Sequence, residues 1–280
     1  MKKLVLGDNP FFGISHLNSL KSKSYLEEHD REKKAVEIIK QSSSLGFENF
    51  MISSHPETKS LLDKAGYYKN NKNLPKLIFI IPNVHKLNKL VASKGLIIGI
   101  LSFFQKDLIT LISLVIRDLF KLKPITFTLI KVFIYTMIKD MPSKNIEYIC
   151  IHNILTDILL GISNKKTFED ITDAIKSLGF KPAFITLNPV EANKIIPKKA
   201  SLCVYYNKNS YNICPSKDEL IKEVKNSSRD WWAMGILASG AIDLEDALDD
   251  TDLKLFNSIL YASISIDRIQ NASKKILKFF

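Results

Sequence analysis

The amino-acid sequence predicts an α/β chain folded as a (β/α)8 TIM barrel with an extra helical elaboration between strands 3 and 4. Three observations predict it. Eight short apolar runs recur along the 280 residues, amphipathic stretches separate them, and polar or titratable residues collect just after the runs end. Strands covered by helices are buried on both faces, so they read as nearly continuous apolar segments rather than alternating ones. Parallel barrels build their sites at the C-terminal ends of such strands.

The predicted strands are Leu4–Leu6, Phe47–Ser53, Leu77–Val84, Ile146–Ile151, Ala183–Leu187, Leu202–Tyr206, Trp231–Leu237 and Ser258–Ser263. Between them, REKKAVEIIKQSSSLGF, FEDITDAIKSLGF and SKDELIKEVKN repeat apolar residues every three to four positions, the period of a helix with one buried face. The first two end in Leu-Gly-Phe, where a glycine closes the helix before the next strand. The stretch from His85 to Asn145 is too long for one crossover helix. Its segments GLIIGILSFF, LITLISLVIRDLF and ITFTLIKVFIYTMI predict a helical insertion over about 86–145 within a single domain, 1–280. Those wide apolar faces need cover, from the barrel, from a homodimer contact through the 95–138 helices, or from peripheral contact with a membrane.

Composition narrows the function classes. The chain is 46% hydrophobic with formal net charge +11, but 36 of its 40 basic residues are lysine. Lysine is a solvated point charge, not the planar fork that reads phosphates and bases, so a basic surface is expected and a nucleic-acid groove is not. Cys150, Cys203 and Cys214 form no CxxC pair, in keeping with a reducing cytoplasm. The apolar run after Lys2 and Lys3 is too short for a signal peptide. No run approaches the roughly 18 apolar residues that span a bilayer, so stable membrane insertion is not expected.

The candidate site follows from the strand ends. Asp8 and Asn9 follow strand 1, with His16 farther along. Ser54 and His55 follow strand 2, Asn83 ends strand 3 with His85 just beyond it, and His152 and Asn153 follow strand 4. Asn188 ends strand 5, and Asn207 and Lys208 follow strand 6. Four of the five histidines thus follow the first four strands, which suits acid/base work near neutral pH. Asp8, His55 and His152 are the candidate catalytic groups; the asparagines, His16, Ser54 and Lys208 are candidates for substrate binding. Ser239 and Gly240 after strand 7, and Ser263 and Arg268 around the start of the last helix, are placed to bind an anion, since a helix N-terminus favours negative charge. Only four arginines occur, so one at this position is informative. HxH and HExxH spacings are absent, so a divalent metal would need ligands from separate strands, such as Asp8, His55 and His152.

AVEIIKQSSSLGFENFMISS, IEYICIHN, WWAMGILASGAI and SILYASISIDRIQNASKKI, in their order along the chain, resemble segments of the aldo/keto reductase superfamily. The resemblance implies an NADPH-dependent barrel in which His152 is the tetrad histidine that polarises the substrate carbonyl and Arg268 meets a cofactor phosphate. The chain departs from the family pattern elsewhere. It has Ser53-Ser54 where strand 2 would end in aspartate, Pro82-Asn83 at the strand 3 lysine, no tyrosine among His55, Pro56 and Glu57, and Ala272 where an asparagine would follow the arginine. The expectation is a diverged, reductase-like enzyme, lacking most of the tetrad and acting on a small polar substrate, with NADP as the cofactor the resemblance implies. A metal-assisted hydrolase or lyase and a non-catalytic binding or assembly protein are the alternatives.

Overall fold

The structure is a computed structural model that describes residues 2–14, 30–69, 71–82, 89, 92–95 and 124–280. Eight parallel strands close into a barrel in sequence order. They are β1 (Lys3–Gly7), β2 (Phe47–Ser53), β3 (Lys76–Ile81), β4 (Ile146–Ile151), β5 (Lys181–Thr186), β6 (Ser201–Tyr205), β7 (Trp231–Met234) and β8 (Ser258–Tyr261). Closure is made by β1, which pairs with β2 through Leu6↔Phe50 and with β8 through Leu6↔Tyr261. The helices are α1 (Arg31–Ser42), α2 (Thr58–Ala65), α3 (Ile125–Ile138), α4 (Asn153–Gly161), α5 (Lys165–Ser177), α6 (Pro189–Ile195), α7 (Lys217–Lys225), α8 (Leu244–Leu248) and α9 (Ile266–Phe279).

Each predicted strand is present; strands 3, 7 and 8 end two or three residues earlier than expected, and strands 5 and 6 one residue earlier. Strand 3 stops at Ile81 because Pro82 has no N–H to continue the ladder. Strand 7 stops at Met234, since Gly235 turns into the left-handed region (φ +70°) and its carbonyl accepts the Ala238 N–H at 2.8 Å. Strand 8 stops at Tyr261. The glycines expected to end helices, Gly46 and Gly179, have φ of +86° and +90°. Of the predicted insertion, the last segment is α3; residues 96–123, with the two preceding apolar segments, lie outside the described residues. α4 was not anticipated from the sequence.

The strands divide their side chains between two cores. Val5, Met51, Ile78, Cys150, Cys203 and Trp232 point into the barrel, while Leu6, Phe50, Phe79, Ile149, Phe184 and Trp231 pack outward beneath the helices. Tyr148 meets Trp232 edge to face at 4.9 Å inside the barrel. The N-terminal end of the barrel carries ionic and polar contacts. Asn49 donates to Glu147 at 2.8 Å, Lys181 reaches the same carboxylate at 2.7 Å, and Lys3 lies 3.9 Å from it. Burial raises the Glu147 pKa, but these partners outweigh it and hold the carboxyl below its ordinary range.

Arg229 shows how the connections are held. Its side chain is buried, and it donates to the carbonyls of Ile196 (2.7 Å), Pro197 (3.0 Å) and Ala200 (2.8 Å) and to Asn193 Oδ1 (3.1 Å). Burial lowers its pKa to about 10, which leaves it charged at neutral pH. Three of its acceptors lie in the passage between α6 and β6, where a helix has ended and its last carbonyls need donors. Arg229→Ala strands these acceptors in a buried setting and is expected to cost about 3 kcal/mol, read as a lower urea midpoint with an unchanged slope.

Candidate active site

In a strand, alternate residues share a face, so the inward columns can be followed to the open C-terminal end of the barrel. Met51 leads to Ser53, Cys150 to His152, and Cys203 to Tyr205. Serine, histidine and tyrosine therefore finish columns whose lower members are apolar or thiol side chains in a dry interior. Burial pushes the Cys150 and Cys203 thiols well above their ordinary range. Polar chemistry inside the barrel is concentrated at its mouth.

The first part of the site joins the loops after β1 and β2. Asp8 is buried, and its Oδ2 accepts from the Ser53 N–H at 2.7 Å and the Ser53 hydroxyl at 2.5 Å. Burial pushes the Asp8 carboxyl above its usual range, while the two Ser53 bonds and the nearby His55 charge act in the opposite direction. Phe12, on the short turn Asn9–Phe12, stacks on the His55 ring at 4.6 Å and 24°. His55 Nδ1 accepts the Glu57 N–H at 3.4 Å.

His152 uses the same device at β4. It is the N-cap of α4, and its Nδ1 accepts the Ile154 N–H at 3.3 Å. A neutral imidazole that accepts at Nδ1 carries its proton on Nε2, where it can donate to a substrate oxygen. α4 is fastened to the neighbouring strand by Asp157, whose carboxylate accepts from the Thr186 hydroxyl at 2.6 Å and the Leu187 N–H at 3.1 Å. Tyr205, at the end of β6, is half-buried, and burial pushes its phenol up to about 12. Its ring lies against Gly235: a Cβ there would come within 2.7 Å of Tyr205 Cδ1. Glycine is thus needed at 235 both for its positive φ and for the space.

The second part is a cavity of about 360 Å³ between the β7 loop and the start of α9. Gly240, Ile242, Asp243, Tyr261, Arg268 and Asn271 line it. The loop is strained: Ala238, Ser239 and Gly240 have consecutive positive φ values of 44°, 57° and 90°. Asp243 caps α8 by accepting the Asp246 N–H at 2.9 Å, and Ser265 caps α9. The donor set, one guanidinium and one carboxamide beside a carboxylate, fits an anionic group with neighbouring hydroxyls.

The remaining candidates divide by what already occupies them. Asn207 is buried with its amide bonded to both the N–H and the carbonyl of Tyr211, at 2.8 Å each, so it shapes its own loop. Asn188 caps α6 by accepting the Glu191 N–H at 3.2 Å. Ser263 is buried and accepts the Ser265 N–H at 3.1 Å, while Lys208 is exposed. Asn9 and Asn153 are half-buried at the mouth, and Ser54 donates its N–H to the Ile80 carbonyl at 3.3 Å. His16, Asn83 and His85 lie outside the described residues. Among the described residues no three His, Cys, Asp or Glu side chains come together as metal ligands, so Asp8, His55 and His152 do not form a three-ligand set.

Phe12, Tyr205, Tyr261 and Asn271 were missed in the sequence. Asn271 was within reach of it: three residues after Arg268 on a helix puts both on one face, whereas the expectation had looked to 272.

No family model and no curated protein sequence matches the chain. Among solved structures, a Pseudomonas aeruginosa chain named "putative aldo-keto reductase" aligns with TM-score 0.59 and 13% identity, covering 99% of this chain and 90% of that one. A second structure under that name aligns with TM-score 0.57, 13% identity and coverage of 98% and 90%. The likeness is one of fold. A truncated 3-deoxy-D-arabino-heptulosonate 7-phosphate synthase from Thermotoga maritima follows at TM-score 0.50 and 9% identity, covering 99% of this chain and 86% of that one.

The buried Asp8 carboxyl makes a pH prediction. Its native pKa is raised, so the native state holds the proton more tightly than the unfolded chain, and stability falls as pH rises from the unfolded value, about 4, through the native one. Asp8→Asn keeps an oxygen for Ser53 and removes the charge. It is expected to be more stable than the wild type at neutral pH, with the gain vanishing below about pH 4, as measured by urea unfolding across that range.

Proposed function

We propose that the chain is a diverged reductase-like barrel enzyme that acts on a small polar carbonyl compound at the barrel mouth. The observation that carries this reading is His152 at the end of an inward column, with Nδ1 accepting from its own helix, which in the neutral ring puts the proton on Nε2. The substrate oxygen would accept from His152 Nε2. Tyr205, protonated at neutral pH, would present a second hydroxyl donor at the same rim.

The tetrad of the family that the chain resembles is altered in this reading, and Asp8 stands in for part of it. That pattern has an aspartate at the end of strand 2. Here Ser53 ends the strand and donates to a carboxylate from the adjacent strand. Asp8 thereby returns a carboxyl group to the same neighbourhood, with His55 beside it to exchange a proton. Asn9, Ser54 and Asn153 would line the approach for a polar substrate, with Asn188 and Lys208 at the rim; His16 and Asn83 are assigned substrate-binding roles in the same proposal.

NADPH, when bound, would supply the hydride. Arg268 and Asn271 would hold its anionic end, Asp243 would accept from a ribose hydroxyl and Gly240 would form part of the wall, with Ser239 and Ser263 next to the cavity rather than in its lining. The domain is read as one unit that includes the 86–145 insertion, located in the cytoplasm and able to dimerise through residues 95–138.

Two experiments test this. NADPH is expected to quench tryptophan fluorescence, with Arg268→Ala weakening binding about 10- to 100-fold; no binding at millimolar NADPH removes the redox mechanism. With a panel of small aldehydes and ketones, His152→Ala is expected to lower kcat by about 10²- to 10⁴-fold while KM changes less.

A further inference from the structure

α4 is nine residues long, and its sequence NILTDILLG has one charged side chain. That residue, Asp157, is turned inward to Thr186 and Leu187, and Thr156 and Leu160 are buried. These anchors fix the rotation of the helix and leave Ile154, Ile158 and the C-cap residue Ile162 on the outer face, exposed by 47%, 60% and 64%. Only six large hydrophobic side chains are this exposed among the described residues, and three of them form this four-residue-spaced stripe. In a chain with 36 lysines, an outer helix face made of isoleucine and Gly161 is not an ordinary solvated surface.

The stripe runs into a pair of exposed lysines. Ser163 and Asn164 are exposed polar residues, followed by exposed Lys165 and Lys166. Lys166 pairs with Asp170, but the carboxylate is buried and the ammonium stays outside, with its side chain 65% exposed. Isoleucines lying beside lysines, on a chain of net charge +11, match a surface with an apolar interior and a negatively charged boundary. A second copy of the chain is a poorer match. It would bring the same cationic edge against itself, and three half-exposed isoleucines fall short of the roughly 800 Å² that each partner buries in a standard interface.

We propose that the α4 edge of the barrel docks on an anionic lipid surface, with Ile154, Ile158 and Ile162 entering the boundary between headgroups and acyl chains and Lys165 and Lys166 over the phosphates. The contact is peripheral, since no helix among the described residues is long and apolar enough to cross a membrane. Because His152 caps α4, docking sets the barrel mouth beside the membrane. The surface is separate from the proposed reductase site, and either assignment can fail without the other.

Flotation of the whole chain with vesicles tests it. The protein is expected to float with phosphatidylcholine vesicles containing phosphatidylserine, to float much less with phosphatidylcholine alone, and to be released as salt rises above about 0.15 M. Ile158→Asp is expected to weaken flotation about tenfold or more, and Lys165→Glu to weaken it only for the anionic vesicles. Ile158 is exposed, so circular dichroism melting should show both variants folded. Absence of flotation, equal flotation with neutral vesicles, or an Ile158→Asp variant that floats like the wild type would each overturn the proposal. So would light scattering that shows a wild-type dimer split to monomers by Ile158→Asp without vesicle binding, which assigns the stripe to a second copy.

Discussion

The pairing of β1 with both β2 and β8 is the constraint on which the rest of the structure depends. A parallel sheet with free edges would leave two rows of backbone donors and acceptors unpaired; closure removes both edges. It demands close approach at the seam, where a Cβ on Gly7 would lie 3.1 Å from that of Ala262. The same seam places Asp8, just past β1, against Ser53 on one side, while the other side leads through Tyr261 to the Arg268 cavity. The two parts of the candidate site are therefore neighbours because the barrel closes, although more than 200 residues separate Asp8 from Tyr261 in sequence.

Along its axis the barrel changes from ionic to dry to polar. Lys3, Asn49, Glu147 and Lys181 satisfy one another at the N-terminal end, and Asp230 accepts there from Ser201 at 2.7 Å and Trp232 at 2.9 Å. Above them lie Val5, Met51, Ile78, Cys150 and Cys203, where an unpaired charge would carry a large desolvation cost. The titratable groups of the mouth are kept hydrogen-bonded by neighbouring backbone: Ile154 N–H for His152, Glu57 N–H for His55, and Ser53 N–H for Asp8. Each ring or carboxyl group is thus held in a set orientation by the neighbouring backbone.

The strands were legible because burial on both faces writes a continuous apolar run, and β2 and β4 match their expected limits. The helix ending at Gly179 was legible because glycine tolerates a left-handed turn, whereas α1 ends at Ser42 and Gly46 turns the chain into β2. α4 was not. Its sequence is apolar almost all the way round, so it lacks the one-sided period that marks a surface helix. The site was legible by place more than by role. His152, His55 and Asp8 lie at strand ends as expected, but asparagines at such positions have two uses. A short carboxamide binds its own backbone as readily as a ligand, and Asn207 and Asn188 do so, closing a loop and capping a helix. Which of the two an asparagine does depends on the path of the next few residues, and that path is not written in residue type.

The loop after β7 shows where the fold holds strain. Ala238 and Ser239 adopt positive φ, which costs an L-residue roughly 1–2 kcal/mol, and Gly240 continues the run. Short backbone bonds hold the conformation, Ala238 N–H to the Gly235 carbonyl at 2.8 Å and Gly240 N–H to the Leu237 carbonyl at 2.7 Å. The same Gly235 receives the Tyr205 ring from β6. One glycine thus ends the strand, admits the tyrosine at the barrel mouth and starts the strained turn that walls the Arg268 cavity. A side chain at 235 would therefore disturb both the seat of the Tyr205 ring and the turn that leads to the cavity wall.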